Sequence, residues 1–499
     1  MHVEVTSVAH RQKHAIDGGE AFPLVHRFRT RRQQYVFDTN TKRILAVSPS
    51  IWHALGSRRS WLAMDDATKA AVAATRRKGL LGEPPTAVVP CSRERVSQGL
   101  ESQREQLILN VTERCNYRCS YCPIHGAGSS GRGRHSSMKI EVAVPAIEEF
   151  LAHASPKARV ITFYGGEPLL ELALIRRLVK FIRSRTGEDV QFGMTTNAWL
   201  LTGQAAAFLA DEGFFLTVSL DGPREMHDRN RIHAGGQGTW SRCMRNIRGF
   251  LDRYPQYASN SRLRFNAVAT DQTDFEQVQA FIDESDIFTS AMEYSISYRK
   301  LRSLDDGWPK GSACDLSWRR LYRRFKRRLA GGDFERMLKS PSQWVENSLF
   351  MRPFLTFHKR GLRDGPAPSP LQLLNTCIPG ARRAFVDCQG NYYPCERVAA
   401  TVSQRIGHVS SGLDARLSHE LISQWTKATD VECASCWCLM ICQTGCFATV
   451  DDMGCSMQLA KRSGCHRHRA QMHQLLKAYC EILEKNPKSL DFLNQVELS

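Results

Sequence analysis

Three cysteines on one short loop are the residues whose types and spacing point most directly to chemistry. Cys115, Cys119 and Cys122 follow the apolar run 107–111 and supply three thiolates in a CxxxCxxC pattern. Thiolates hold iron–sulfur clusters, and a cubane four-iron cluster takes four protein ligands when it is fully enclosed. Three ligands leave one iron open, where a small molecule with an amino and a carboxylate group could chelate. The spacing therefore favours a catalytic cluster over an electron-storing one.

A second group of cysteines lies near the C-terminal end of the sequence. Its first half contains Cys377, Gly390 and Cys395, and its second half contains Cys433, Cys436, Cys442, Cys446 and Cys465. Close CxxC groupings in a chain of 499 residues suit metal better than loop-closing disulfides. Because paired CxxC groups also make tetrahedral zinc sites, zinc and iron–sulfur clusters both remain open at this point.

Short polar motifs follow several apolar, strand-like runs. They are Gly165, Gly166, Glu167 and Pro168 after 160–164, Asn197 after 190–194, and Ser219 and Asp221 at the end of 215–220. Adjacent glycines let the backbone approach a ligand, and a carbonyl with a carboxylate can receive an ammonium group. Hydroxyl, amide and carboxylate groups suit a ribose and a carboxylate. Taken singly, each motif also fits ordinary turn or helix capping.

These motifs need a scaffold that brings strand ends together. From Leu107 to Lys300 the chain alternates apolar strand-like runs with amphipathic helical ones, a further run being 263–269. Such alternation predicts a parallel sheet covered by helices. Because parallel barrels place their sites at the C-terminal ends of the strands, the motifs are expected to converge.

The N-terminal region has the pattern of a separate small unit. Two strand-like runs, 34–38 and 42–47, flank a turn, and helical patterns follow at 50–55 and 66–72. The polar stretch 92–106 is expected to be a linker or a connecting helix.

Taken together, the CxxxCxxC loop, the GGEP motif, the stretch SLDGP…HDRNR and the seven-cysteine array resemble radical S-adenosylmethionine (SAM) enzymes. Within that family they resemble members with a C-terminal SPASM domain, which holds two auxiliary iron–sulfur clusters. The resemblance implies an α/β fold: a partial (β/α)6 TIM-like barrel, an N-terminal winged-helix-like α+β domain and a cysteine-rich iron–sulfur domain. The expected domains are a leader-recognition-like unit at 1–95, the barrel at 104–300, a helical bridge at 301–370 and the auxiliary-cluster domain at 371–485.

The same resemblance assigns roles to residues. Cys115, Cys119 and Cys122 would hold a [4Fe-4S] cluster that binds SAM, and the SAM contacts would be Gly165, Gly166, Glu167, Pro168, Asn197, Ser219 and Asp221. The second auxiliary cluster would be enclosed by Cys433, Cys436, Cys442 and Cys465, and the first would be held by Cys377, Cys395 and Cys446. Three [4Fe-4S] clusters are therefore expected, with zinc as the weaker alternative. For a fourth ligand of the first auxiliary cluster the candidates are Cys388, Cys438, Cys455 and Cys314, or a vacant iron that binds a substrate thiolate.

The stretches NYYPCERV and CASCWCLMICQTGCF are most similar to peptide maturases that install thioether crosslinks of the sactipeptide and ranthipeptide type in ribosomally made peptides. The resemblance implies that SAM cleavage yields a 5′-deoxyadenosyl radical, which removes a hydrogen from carbon of the peptide. Carbon–carbon or ether crosslinking, or epimerisation, are alternative outcomes. An anaerobic sulfatase-maturing, formylglycine-forming enzyme is another. A DNA-binding iron–sulfur regulator is a further alternative, but residues 50–55 lack the basic and amide side chains of a recognition helix.

A net charge of +18 allows an acidic or a nucleic-acid partner. The expected partners are a precursor peptide with its leader and an electron donor such as flavodoxin or ferredoxin, without nucleic acid. The arginine-rich stretch 319–328 is interpreted as a solvated helix face. Neither a signal-peptide core nor a run near the ~20 apolar residues of a membrane span occurs, so a reducing cytoplasm is expected.

Overall fold

The computed structural model describes residues 21–122, 124, 136–298, 309–332, 340–373, 376–398, 404–450 and 457–495. It begins with a three-stranded antiparallel sheet in the order β1-β2-β3, followed by three helices. The elements are β1 (Val25–Arg29), β2 (Gln34–Asp38), β3 (Arg43–Ala46), α1 (Pro49–Ala54), α2 (Arg58–Leu62) and α3 (Asp66–Arg77). The predicted hairpin and both predicted helices are confirmed, whereas β1 and α2 lacked a clear periodic signal.

Local side-chain contacts explain why this unit folds as it does. Asp38 is buried at the end of β2, where its Oδ2 accepts bonds from Thr41 Oγ1 at 2.7 Å and from Leu81 N at 3.2 Å. These contacts fix the predicted turn. The three helices begin at capping side chains, which are Ser48, Ser57 and Asp65. The small core beneath consists of Val36, Leu55, Trp61, Val72 and Leu81.

Six parallel strands form the central part of the protein, in the order β10-β9-β8-β7-β6-β5. They are β5 (Gln106–Thr112), β6 (Val160–Gly165), β7 (Gln191–Thr196), β8 (Phe215–Ser219), β9 (Leu263–Ala269) and β10 (Glu293–Tyr298). The helices before and between them are α4 (Arg93–Ser102), α5 (Ile140–His153), α6 (Leu172–Thr186), α7 (Gly203–Asp211), α8 (Arg224–Asn230), α9 (Trp240–Arg253) and α10 (Phe275–Glu284). This arrangement confirms the α/β class and the predicted partial (β/α)6 barrel.

A helical region follows the barrel. It contains α11 (Ala313–Gly331), α12 (Trp344–Glu346), a π-helical turn (Asn347–Met351) and α13 (Arg352–His358). The arginines of α11 are mostly paired with carboxylates: Arg324 and Arg328 both bind the fully buried Glu346, and Arg320 binds Glu276. This pairing supports the interpretation of the basic stretch as a structural and solvated helix face.

The cysteine-rich region continues the barrel sheet. The strand β12 (Arg383–Val386) pairs parallel with β5, and β13 (Asn391–Tyr393), β14 (Gly407–His408) and β15 (Gly412–Leu413) extend the sheet antiparallel to a total of ten strands. A separate pair joins β4 (Val88–Val89) to β11 (Leu371–Gln372). The last helices are α14 (Ala415–Lys427), α15 (Asp430–Ala434) and α16 (Met457–Lys485). Within the described ranges, no helix is both long and apolar enough to cross a bilayer.

The strand register separates two of the predicted cysteine sets. Cys115 follows the C-terminal end of β5, whereas Cys377 precedes β12, which runs parallel to β5 with Arg383 opposite Gln106. Cys395 follows β13, which returns antiparallel to β12. Cys115 therefore lies at one end of these strands, and Cys377 and Cys395 lie at the other, about 20 Å away for strands of this length.

Candidate active site and metal centres

The loop that carries the first three cysteines is held by a segment about a hundred residues later in the chain. Arg118 N donates to Ile232 O at 2.7 Å, and Ser120 N donates to Asn230 O at 3.0 Å. The segment 230–234 belongs to the stretch HDRNR and its continuation. These backbone bonds fix the path of the cysteine loop against the barrel, which explains part of that motif without any ligand.

The thiols of this loop lie close enough to influence one another. Burial raises the pKa of Cys115 to about 12, and the neighbouring thiols of Cys119 and Cys122 add to the increase. Backbone amides already point at two of the sulfurs, because Tyr117 N lies 3.3 Å from Cys115 Sγ and Ile124 N lies 3.4 Å from Cys122 Sγ. Hydrogen bonds to sulfur stabilise thiolates in iron–sulfur sites, so this donor set fits a cluster.

The two glycines of the GGEP motif pack against the cysteine loop. A Cβ on Gly165 would collide with Thr112 O, and one on Gly166 would collide with Arg114 O. Gly165 also has φ of +151°, a conformation that favours glycine. The sequence suggested close approach to a ligand as the reason for these glycines, whereas the structure shows close approach to the protein's own backbone. The motif and the cysteine loop are thereby locked together.

Glu167 is the most deeply buried carboxylate of this region. Its Oε1 accepts bonds from Thr196 Oγ1 at 2.8 Å and Leu169 N at 3.2 Å, and its Oε2 accepts one from Asn197 N at 2.8 Å. Burial raises its pKa to about 7, and these hydrogen bonds limit the rise. Among the described residues no cation pairs with this carboxylate. A buried, uncompensated acceptor of this kind fits the ammonium group of a ligand.

Asp221 has three protein partners. It accepts a short hydrogen bond from Tyr121 OH on the cysteine loop, forms an ion pair with Arg231 Nε at 3.0 Å, and accepts a bond from Val268 N at 3.0 Å. All of these carboxylate contacts lie in a nearly solvent-free environment. Asp221 thus anchors the cysteine loop, and its predicted contact with SAM remains a prediction.

The other predicted SAM contacts surround the same strand ends. Asn197 donates from Nδ2 to Asn116 Oδ1 at 2.8 Å, and the same nitrogen lies 4.0 Å from Cys115 Sγ. Ser219 is half-buried at the end of β8, and Pro168 begins a short 3-10 helix after Glu167. The motifs of β6, β7 and β8 therefore converge with the cysteine loop, as expected from a parallel barrel.

Arg231 was quoted within a motif, but the sequence gave it no role. It is 6% exposed, and its guanidinium lies over the Tyr121 ring at 5.4 Å as well as beside Asp221. The same positive charge lowers the pKa of Cys119, although burial keeps that pKa high, at about 11. In the sequence, Arg231 stands ten residues after Asp221. That spacing does not specify which side chains Arg231 contacts.

The C-terminal cysteines fall into two neighbourhoods whose thiols interact electrostatically, and their assignment to two clusters stays a prediction. Cys377 interacts electrostatically with Cys446 and Cys395. Cys433 interacts with Cys465 and Cys442. In the first neighbourhood Cys377 and Cys446 are exposed.

Polar groups lie within hydrogen-bonding distance of sulfurs in the second neighbourhood. Thr444 N lies 3.4 Å and Thr444 Oγ1 lies 2.8 Å from Cys442 Sγ, while Thr429 Oγ1 lies 3.4 Å from Cys433 Sγ. Cys436 completes the neighbourhood through its interaction with Cys442. In the described part of the chain, no three His, Cys, Asp or Glu side chains are drawn around one point closely enough to hold a single metal ion.

The candidates for a fourth ligand of the first auxiliary cluster lie in different places. Cys388 donates to Asn110 O at 3.0 Å, so it lies at the opposite end of β12 from Cys377. Cys438 is buried and forms a hydrogen bond with Cys436. Cys314 is buried at the start of α11. Cys455 lies outside the described residues.

Comparison with known proteins adds a family to this geometry. Residues 109–260 match the sequence model of the Radical SAM superfamily, so the chain contains a radical SAM domain. A cysteine-type anaerobic sulfatase-maturating enzyme of Clostridium perfringens is 23% identical over 367 residues, which cover 68% of this chain and 88% of that protein. The radical SAM cyclopropyl synthase TigE of Paramaledivibacter caminithermalis is 26% identical over 196 residues, which cover 37% of this chain and 40% of TigE.

A solved structure shares the fold. The structure of native anSMEcpe with bound AdoMet and Cp18Cys peptide superposes with a TM-score of 0.53 at 20% identity, covering 79% of this chain and all of that one. At this identity the likeness establishes the fold alone. It agrees with the α/β fold described above.

Proposed function

Taking the radical SAM domain of residues 109–260 as the premise, we propose that the protein is a peptide maturase. It removes a hydrogen from a ribosomally made precursor peptide and installs a crosslink, with a Cys thioether as the favoured product. The observation that carries this proposal is the buried Glu167, which has no cation partner among the described residues and is locked through Gly165 and Gly166 to the loop of Cys115.

The residues present fit a cluster and SAM. Cys115, Cys119 and Cys122 would hold the cluster, Glu167 would receive the ammonium group of SAM, and Asn197 lies next to both. When bound, SAM on a [4Fe-4S] cluster supplies the abstraction of a hydrogen atom from carbon. The work of the protein is then to orient the ligand and the peptide and to keep other hydrogens away. Two further [4Fe-4S] clusters, at the C-terminal cysteines, belong to the proposal.

The N-terminal unit supports a peptide substrate. The strand β3 pairs with β2 on one side, and no strand in the described part of the chain covers its other side. An extended peptide can add a strand to such an edge, with backbone hydrogen bonds giving affinity. Between residues 21 and 83 the sequence has twelve Lys and Arg against four Asp and Glu. The unit is therefore suited to an acidic leader segment.

This unit is docked directly on the C-terminal cysteine region. The imidazole of His26 on β1 stacks on Trp437 with ring centroids 3.7 Å apart, and its Nε2 lies 2.8 Å from His473 Nδ1 on α16. Thr39 Oγ1 also donates to Trp437 O at 2.8 Å. Because Trp437 lies between Cys436 and Cys438, a leader bound to this unit would lie on a part of the protein that contacts the C-terminal cysteine region.

Sulfatase maturation is the second candidate. The alignment with the C. perfringens enzyme, which covers 88% of that protein, favours it. The N-terminal unit favours the peptide maturase, because formylglycine formation does not account for a separate N-terminal sheet with an open edge. The two outcomes differ in the product: a thioether crosslink removes a pair of hydrogen atoms from the peptide, whereas formylglycine formation from cysteine removes a pair of hydrogen atoms and also replaces the sulfur by oxygen.

The first test uses anaerobically reconstituted protein and a Cys115/Cys119/Cys122→Ala variant. We expect about twelve irons in the wild type and about eight in the variant, with reductive SAM cleavage lost. Mass spectrometry of precursor peptides encoded beside the gene then identifies the product. Unchanged iron in the variant, or zinc at the C-terminal cysteines, would reject the three-cluster proposal.

The role of the N-terminal unit is tested by leader binding. Arg43 lies on β3, so Arg43→Glu should weaken the binding of an acidic leader peptide, measured by fluorescence anisotropy at low and high salt. The matched control is Arg397→Glu, an exposed arginine in the C-terminal region. Equal affinity of both variants and the wild type would contradict leader recognition at this edge.

A further inference from the structure

A buried lysine lies beside the second cysteine neighbourhood. Lys461, in the first turns of α16, is only 2% exposed. Its ammonium donates one short hydrogen bond, to Trp425 O, and lies 5.0 Å from the centre of the Trp425 ring. Lysine is almost never fully buried unless it is paired. Among the described residues, however, no carboxylate forms an ion pair with Lys461.

The groups that interact most strongly with this ammonium are cysteine thiols. Lys461 interacts electrostatically with Cys433, Cys465 and Cys442, and with the carboxylate of Asp430 less strongly. Lys461 and Cys465 are four residues apart on α16, so their side chains lie on the same face of the helix. Neutral thiols do not offset the burial of a positive charge. Sulfur bound to iron carries negative charge and would offset it.

A second buried donor lies next to the lysine. The indole Nε1 of Trp425 is buried and has no hydrogen-bond partner in the described part of the chain. Trp425 is fully buried, and its ring packs against both Lys461 and Phe447, the residue after Cys446. An ammonium has three N–H donors, and Trp425 O uses one of them. In the described part of the chain, Trp425 Nε1 and the remaining Lys461 donors therefore have no acceptor.

We propose that Lys461 is a positioning residue that acts as the counter-cation of the iron–sulfur cluster held by Cys433, Cys436, Cys442 and Cys465. Its remaining N–H groups would be available to cluster sulfur, and its charge would favour the reduced cluster. The physical reason is that reduction adds negative charge, which a fixed cation stabilises strongly where water is excluded. The inference rests on the proposed function, since it requires the second auxiliary cluster.

The experiment is a redox titration followed by electron paramagnetic resonance. The background is the full-length Cys115/Cys119/Cys122→Ala variant, so that the signals come from the auxiliary clusters alone. Lys461→Met removes the charge at similar size, Lys461→Arg keeps it, and Lys485→Met changes an exposed lysine at the far end of the same helix. We expect Lys461→Met to move one auxiliary midpoint to lower potential, with Lys461→Arg close to the parent and Lys485→Met unchanged.

The outcomes separate this inference from the proposed function. A further variant carries alanine at Cys433, Cys436, Cys442 and Cys465. If this variant loses no iron, the second auxiliary cluster does not exist and that part of the proposed function is rejected. If Lys461→Met keeps its iron and the parent midpoint, the counter-cation role is overturned while the cluster stands. Loss of that cluster's iron in Lys461→Met, with retention in Lys461→Arg and an unchanged circular dichroism spectrum, supports the role. If both Lys461→Met and Lys461→Arg lose that cluster's iron while the circular dichroism spectrum is unchanged, the counter-cation role is overturned.

Discussion

At the scale of single residues, the protein is notable for charges that are buried without the usual opposite charge. Glu167 is a fully buried carboxylate with no cation among its described partners, and Lys461 is a buried ammonium that forms no ion pair with a described carboxylate. Each lies beside a predicted cysteine ligand set. Because an uncompensated buried charge is costly, such residues indicate where an absent ligand supplies the opposite charge.

Glu167→Gln tests the carboxylate directly. The change keeps the side-chain size but removes the negative charge, and the new amide cannot accept bonds at both positions from Thr196 and Asn197. SAM affinity should fall at least about tenfold, equivalent to about 1.4 kcal/mol, as measured by equilibrium dialysis on reconstituted protein. Glu188→Gln, at a 92% exposed side chain, is the control and should bind SAM normally. Wild-type affinity in Glu167→Gln would exclude an ammonium contact.

At the scale of secondary-structure elements, the cysteine loop depends on the connection between β8 and α9. Asp221 follows β8, and Arg231 follows α8, yet both meet Tyr121 on the loop. His227 reinforces the same connection, because its Nδ1 lies 3.4 Å from Asp221 N and its Nε2 lies 3.1 Å from Thr239 Oγ1. The stretch SLDGP…HDRNR is thus a scaffold for the loop, in addition to its predicted contacts with SAM.

Arg231→Met should loosen that scaffold. Removing one partner of a buried ion pair leaves Asp221 uncompensated and costs about 3–5 kcal/mol. We expect iron to fall by about four atoms per chain because the loop no longer holds its cluster, together with a lower thermal midpoint. Arg224→Met is the matched control, since Arg224 is 65% exposed and pairs with Asp228 at the surface. Full iron content and an unchanged midpoint in Arg231→Met would contradict the scaffold role.

A pair of glycine substitutions separates close packing from helix propensity. Gly166→Ala should disrupt the contact between β6 and the cysteine loop, because its Cβ would meet Arg114 O. Gly249→Ala, inside α9 with open space around its Cβ, should instead stabilise the protein by about 0.5–1 kcal/mol. Iron content and thermal unfolding of both variants provide the measurement. Equal behaviour of the two variants would show that Gly166 is not required for packing.

At the scale of the whole molecule, one continuous sheet and one interface join the parts of the chain. The strand β12 extends the barrel sheet, so the cysteine-rich region is not a detached module. The N-terminal unit is docked on α16 through His26 and His473 and on the cysteine region through Trp437. The register also places Cys377 and Cys115 at opposite ends of paired strands. The cysteines that would hold the first auxiliary cluster therefore lie about one strand length from those that would hold the SAM-binding cluster.

The docked N-terminal unit should respond to acid. Burial, and secondarily the charge of His473, lower the pKa of His26 to about 4, whereas an unfolded imidazole has a pKa near 6.5. Because the unfolded state binds the proton more tightly, this group's stability contribution is complete above about pH 6.5 and is lost as pH falls towards 4. The thermal midpoint of the wild type should exceed that of His26→Asn at neutral pH by more than at pH 5. The exposed His53→Asn should show no such difference, and a constant gap for His26→Asn would contradict the assignment.

The sequence by itself determined the family of the central domain and most of the barrel. The spacing of Cys115, Cys119 and Cys122, the GGEP motif and the alternation of apolar runs predicted a parallel sheet with converging motifs, because these signals are local and periodic. The division of the C-terminal cysteines between two clusters stays a prediction. Domain boundaries, ligand identities and the SAM contacts stay predictions.

Only the tertiary structure decided which side chains, distant in the sequence, contact one another. Tyr121 and Asp221 are a hundred residues apart, Lys461 and Trp425 are separated by 36, and His26 and His473 by 447. Periodicity reports which face of an element is buried, but not which element covers it. The pairing of β12 with β5, the role of Gly165 and Gly166 in packing, and the hydrogen bond from the buried Lys461 to Trp425 all arise from that long-range packing.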